Sequence, residues 1–283
     1  MSMQLNWDAL DISILGPACL AGLIVLSTHV PLGKQVLSRG IIFIDLAIAQ
    51  IAALGVILSQ FFDVDAFLVQ HVSAGLEGYG VQIVAVAAAL AGAGLLAWTD
   101  RRWPEFQEPL IGTLFVLAAT GSLLVVSHNP EGSEHLKSLL AADILFIEFK
   151  QLIPAALLSV VLLVFMWLRR DRLAGLVFYA LFAVAITVSV QLVGVYLVFA
   201  SLIVPALATA GMKGMSRLAT AYAIGALGYV SGLCLSALLD LPSGALIVWT
   251  LAACGLIAQI LPAVRRSHPA HPTEDAGVVA FVD

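Results

Sequence analysis

Charge is scarce in this chain: only 11% of its 283 residues are Asp, Glu, Lys or Arg, against about 25% in soluble globular domains. With 61% hydrophobic residues and a mean hydropathy of +1.04, the composition excludes a water-soluble fold. It identifies an all-α, polytopic membrane protein. The net charge of -5 and the short, separate clusters of basic residues exclude a nucleic-acid-binding face. Cysteine is sparse too. Cys19, Cys234 and Cys254 each lie in an apolar run with no CxxC spacing, which predicts buried helix filler rather than a disulfide framework or thiolate metal site. No GxxxxGK[ST] motif occurs, and LGKQ at Leu32 to Gln35 lacks both its spacing and its hydroxyl, so ATP would have to be hydrolysed by another chain. No HExxH and no paired nucleophile and base argue for an enzyme. The N-terminal stretch MSMQLNWDALDISILG has no Lys or Arg, so the first apolar segment is expected to remain as a helix rather than be cleaved as a signal peptide.

What is abundant is apolar sequence in runs of roughly 17 to 22 residues, each long enough to cross a hydrocarbon core of about 30 Å. About nine spans are expected, in a compact bundle: Ile12 to Thr28, Ile42 to Phe61, Val81 to Trp98, Leu110 to Ser127, Leu152 to Leu168, Ala174 to Gln191, Val193 to Ala210, Leu218 to Leu239 and Ala245 to Leu261. Basic residues follow every odd-numbered span: Lys34 and Arg39, Arg101 and Arg102, Arg169, Arg170 and Arg172, Lys213 and Arg217, Arg265 and Arg266. That one-sided pattern puts those connections and the C-terminus in the cytoplasm and the N-terminus outside. Residues 1–266 are read as the transmembrane domain, and 267–283, rich in Pro, His and acids, as a flexible cytoplasmic tail. Small residues crowd the second, third and eighth spans and predict close helix packing.

The polar exceptions carry the functional reading. Asp45 and Gln50 lie in the second span, within RGIIFIDLAIAQIAALG. A carboxylate in a span costs about 2.5 to 3.5 kcal/mol on insertion scales, so Asp45 must face protein or water. It is either a structural partner, for Arg39 or for a helix end, or the lining of a cation path. Gln50, five residues on, is about 140° further round the helix, so the two should contact different neighbours. Thr187, Ser189, Gln191 and Ser201 could supply interhelical hydrogen bonds, and Pro205 either a static kink or a hinge. Between the fourth and fifth spans, His128, Glu131, Glu134 and His135 offer imidazole and carboxylate ligands suited to divalent metals, as an acidic entry surface or a solvated loop. His29 and His71, near span ends, are expected at the membrane interface.

Three stretches, HVPLGKQVLSRGIIFIDLAIAQIAALG, LLAADILF and QLVGVYLVFASLIVPALATA, resemble in order three signatures of zinc/manganese/iron-type ABC transporter permeases, covering roughly Leu15 to Met212. The resemblance implies a homodimeric or paired permease of a bacterial inner membrane. It would receive a divalent metal from an extracytoplasmic binding protein and be driven by separate cytoplasmic ATPase subunits. The metal would be cargo, with no permanently bound cofactor. It also implies that Asp45, Gln50, Ser201 and Pro205 belong to the translocation pathway. Two departures stand out. Where many members carry Gly-Asp-x-x-x-His, this chain has Ile44, Asp45 and, one place later than the His, Gln50. Where the family has a cytoplasmic segment with a short acidic helix between the fifth and sixth spans, only Arg169 to Gly175 is present. A carrier without an ATPase, driven by a gradient or passive, and a non-transporting scaffold are the alternatives from other classes.

Overall fold

The computed structural model describes residues 10–71, 80–127, 144–169 and 175–260. The predicted tail 267–283 lies outside them. The described helices are α1 (Ile12–Arg39), α2 (Ile44–Phe61), α3 (Val64–His71), α4 (Gly80–Arg102), α5 (Gln107–Val126), α6 (Phe149–Leu168), α7 (Leu176–Val193), α8 (Val195–Ala208), α9 (Gly214–Leu239) and α10 (Ser243–Ile260). Short 3-10 turns, Pro104–Phe106 and Ile144–Phe146, precede α5 and α6. No strand occurs among the described residues. Every expected span has its helix, and 8 of the helices are long and apolar enough to cross a membrane. The short α3 is an addition to the expected set.

Two groups of helices pack side by side. In the first, α2 lies against α4, α5 and α7, and α7 against α4; in the second, α1 lies against α6, α8 and α9, and α10 against α8 and α9. Helices α2 and α7 are the most buried, whereas α5, α6 and α10 turn mostly outward. Leu124, Val161, Trp167 and Trp249 on those outer helices are exposed, the arrangement expected where the surrounding solvent is lipid.

Two differences from the sequence reading have local causes. The seventh expected span is a helix of 14 residues, α8, about 21 Å long at about 1.5 Å per residue. Gly194, with φ 80 and ψ 162, interrupts the backbone before it. The first span is longer than expected, because α1 continues through Pro31 to Arg39. Proline lacks the N–H that would have bonded the Ser27 carbonyl one turn earlier. The Tyr222 hydroxyl of α9 donates to that oxygen instead, at 2.9 Å. Gly40 then ends α1 at φ 70, with its N–H on Leu37 O and the Ile41 N–H on Val36 O, a Schellman closure.

Tyr222→Phe should therefore lower stability by about 0.6 kcal/mol, the usual size of an interhelical bond in a membrane protein. In a Pro31→Ala background the same change should cost less, because alanine restores a backbone N–H that would then serve the Ser27 carbonyl. Thermal unfolding of the four proteins in one detergent measures this coupling.

The longer α1 also moves His29. Expected at an interface, it is 0% exposed inside the helix. Its Nδ1 is 2.8 Å from the Val25 carbonyl, which places the proton there, and its Nε2 has no hydrogen-bond partner. The side chain of His71 lies outside the described ones.

Candidate functional site

The basic ends of the helices meet at one end of the bundle. Arg39 at the end of α1 stacks over the Phe178 ring at the start of α7, 4.0 Å from its centroid. Gly175, at φ 55, brings its backbone beside Arg101 at the end of α4, where a Cβ would meet the guanidinium at 3.1 Å. Gln107, 4% exposed in the first turn of α5, donates from Nε2 to Leu96 O at 3.0 Å and to Tyr179 Oη at 3.1 Å. Its Oε1 accepts from Thr99 Oγ1 at 3.0 Å. The starts of α5 and α7 and the end of α4 are thus joined by hydrogen bonds that leave both ends of the Gln107 amide satisfied.

Within this frame two carboxyl groups approach each other. Glu108, in the first turn of α5, accepts the Phe43 N–H on Oε1 at 3.2 Å, which caps the start of α2. Asp45 occupies the first turn of that same helix and is 1% exposed. The two groups interact electrostatically. Both Asp45 oxygens and Glu108 Oε2 are buried without a hydrogen-bond partner; the Asp45 and Leu46 N–H groups are near but lack bonding geometry. Arg39 does not hydrogen-bond to Asp45, so the salt-bridge alternative weighed for this residue fails, while the helix-end alternative is met in position. The N-terminal dipoles of α2 and α5 favour negative charge here by about 0.3 to 1 kcal/mol each. That falls short of the cost of a buried, unpaired carboxylate, which is met by a cation or by a proton. Carboxylate oxygens suit hard and borderline divalent metals. No group of three or more His, Cys, Asp or Glu occurs among the described residues, so the pair is an incomplete coordination shell on its own.

A groove of about 610 Å³ opens on another face of α2. Its lining includes Leu46, Gln50, Phe115, Phe199, Ala245 and Trp249, contributed by α2, α5, α8 and α10. Phe43, whose N–H meets Glu108, stacks on Phe199 with 6.2 Å between ring centroids, so the groove and the carboxyl pair share a boundary. Gln50 is 5% exposed and has no side-chain hydrogen bond among the described residues. Its amide is one of the few polar groups of a mostly apolar wall, with the Tyr196 hydroxyl and the Trp249 indole. Asp45 does not line the groove; as the helical angle predicted, the two residues meet different neighbours.

Ser201 and Pro205 lie elsewhere. Ser201 is 0% exposed and donates to Val198 O at 2.9 Å. Neither it nor Pro205 lines the groove, although Phe199 and Ala200 of the same helix do. Ser201 instead neighbours the buried Tyr229 ring of α9. Pro205 removes the donor for the Ser201 carbonyl, and the Pro205 carbonyl accepts Thr209 Oγ1 at 2.7 Å. His128, Glu131, Glu134 and His135 lie outside the described residues. Sequence reasoning missed Glu108, because an acid in the first turn of an apolar run reads as an ordinary helix start. Only the meeting of α2 with α5 gives it a partner.

Among the described residues the chain is a bundle of helices, 8 of them long and apolar enough to cross a membrane, with buried carboxyls and a groove beside α2. The chain belongs to the ABC 3 transport family, whose pattern it matches over residues 11–178 and 170–261. The two matched stretches overlap over residues 170–178, at the start of α7 and the connection before it. Its fold is similar to a solved structure, PsaBC from Streptococcus pneumoniae in complex with Fab, with a TM-score of 0.69 and 20% sequence identity over 88% of this chain and 92% of that one.

Proposed function

We propose that this chain is the permease subunit of an ABC importer for a divalent metal cation of the zinc, manganese or iron class. On this reading it sits in a bacterial inner membrane with its N-terminus outside and its C-terminus in the cytoplasm. It works as a homodimer with two cytoplasmic ATPase subunits and receives its cargo from an extracytoplasmic metal-binding protein. The observation that carries the proposal is the convergence of Asp45 and Glu108. Three buried carboxyl oxygens without partners form a place that a passing divalent cation would satisfy. Gln50, Ser201 and Pro205 complete the proposed pathway, Gln50 as a groove contact and the other two as parts of the proline-containing helix α8 beside it. His128, Glu131, Glu134 and His135 are the proposed entry surface.

ATP-dependent uptake of manganese, zinc and iron by cells producing the chain with its partners tests the proposal. Uptake of none of them would refute it. Gln50→Leu, which keeps the volume and removes the amide, should lower uptake about tenfold, the equivalent of one hydrogen bond of about 1.5 kcal/mol. Unchanged uptake would remove Gln50 from the pathway. The short Arg169 to Gly175 connection favours a second reading, a carrier without an ATPase. Uptake that survives ATP depletion and collapses with the ion gradient would establish it.

A further inference from the structure

Helix α2 packs closely against both α4 and α5, while α4 and α5 have little contact with each other. Between them lies a second groove, of about 710 Å³, with α2 as its floor and with Ala91, Leu95 and Leu117 exposed along its mouth. The floor is tight because Gly55 lies against Ala88 and Gly92 against Ile51, where an added Cβ would overlap. The groove above it stays open because the α4 side chains along it, Ala87, Ala88 and Ala91, are single methyl groups. Every lining side chain is Ala, Gly, Val, Leu or Ile. Such a wall gives a polar ligand no hydrogen bond, and it would leave the backbone of a non-helical peptide unsatisfied. An alkyl chain brings no polar group and meets neither cost.

The groove leads to a charged end. Along α4 it runs from Ile83 to Leu95, about 18 Å at about 1.5 Å per residue. That is close to one leaflet's share, about 15 Å, of a hydrocarbon core of about 30 Å. The stripe of Val84, Ala88, Ala91 and Leu95 continues on the same face of the helix to Arg102, about five whole turns after Val84. Trp98, on the same side, is exposed and meets Trp103 edge to face at 5.3 Å, an aromatic pair of the kind found at headgroup depth. Arg102 is exposed, and its side chain has no acidic partner among the described residues. Asp100 lies about 160° away round the helix, and Glu108 is held by the Phe43 N–H. One exposed acid, Glu105, is left in the turn that follows Arg101 and Arg102.

We propose that this groove is a lipid site, which holds one acyl chain of an anionic glycerophospholipid with the headgroup phosphate on Arg102. A basic cluster at the membrane edge selects an anionic headgroup, whereas a choline or ethanolamine headgroup carries a cation of its own. The site depends neither on the transported cargo nor on an ATPase, so it stands or falls apart from the transport reading.

The test reconstitutes the full-length protein in phosphatidylcholine vesicles containing a phosphatidylglycerol with a diazirine on its acyl chain, irradiates them and maps the label by mass spectrometry. Label is expected on the α4 and α5 peptides that line the groove, displaced by unmodified phosphatidylglycerol and not by more phosphatidylcholine. Arg102→Gln should weaken the phosphatidylglycerol competition about fivefold, the effect of one arginine at an anionic surface. Arg217→Gln, at the start of α9 and away from the groove, should leave it unchanged. Ala91→Leu, which fills the mouth, should remove the label, and a circular-dichroism melt of each variant shows that it is folded. Equal labelling by a phosphatidylcholine probe, or label spread evenly over the outward sides of α6 and α10, would overturn the proposal. So would an unchanged competition in Arg102→Gln, or a groove protected by a second copy and detected as cross-links between copies.

Discussion

Asp45→Ala is expected to abolish metal accumulation while leaving the protein at normal abundance in the membrane. The side chain has no hydrogen bond to lose and no basic partner to strand, so its removal costs the fold little. Its loss leaves Glu108 alone to meet a divalent cation. A buried charge that loses its partner costs about 3 to 5 kcal/mol, which predicts uptake reduced at least 100-fold. Asp45→Asn separates charge from shape: it should be nearly as inactive, yet in metal-free detergent it should unfold at a higher temperature than the parent, because a buried acid beside the half-buried Glu108 has been neutralised. Glu108→Gln keeps an oxygen for the Phe43 N–H and should fold normally with reduced uptake. Normal accumulation by Asp45→Ala would remove the carboxyl pair from the pathway.

Gly33→Ala should be among the most damaging single changes to stability. Gly33 of α1 lies directly against the Leu202 carbonyl of α8, with the Ala206 methyl group beside it, and a Cβ there would collide with main-chain oxygen. Backbone cannot swing aside as a side chain can, so the two helices must separate. Overpacking of this kind costs about 1 to 3 kcal/mol, and the gain in helix propensity of about 0.5 to 1 kcal/mol recovers only part of it. Gly94→Ala and Gly112→Ala, where an added Cβ meets nothing within 4 Å, are the controls and should be neutral or mildly stabilising. Thermal unfolding in a single detergent, followed by helical circular dichroism, orders the three. An unchanged Gly33→Ala midpoint would mean that α1 and α8 are less tightly packed than the structure shows.

The helices were legible in sequence because a bilayer enforces one rule: each crossing needs a long apolar run with its backbone bonded internally. The run-length signal therefore located α2, α4 to α7, α9 and α10 to within a few residues at most ends. It shortened α1, because Pro31 and the charges of Lys34 and Arg39 look like a stop when the Tyr222 hydroxyl that rescues the Ser27 carbonyl is 195 residues away in sequence. It lengthened α8, because apolar character continues past Gly194 while the backbone does not. Within the site, the helical period separated Asp45 from Gln50, and the insertion cost of a carboxylate predicted that Asp45 would face inward. The period could not reveal Glu108 or the burial of His29. Each is created by contact between helices distant in sequence, and one helix's periodicity holds no information about its neighbour's register.

The assignment as an ATP-driven permease is tested most directly by purifying the tagged, full-length protein from its native membrane in mild detergent and identifying by mass spectrometry what remains bound. An ABC ATPase in stoichiometric amount is the predicted result, and it would show that the short Arg169 to Gly175 connection, or another surface such as Met212 to Arg217, still couples. Reproducible absence of any ATPase from an intact, folded preparation would contradict the assignment and leave the carrier in its place.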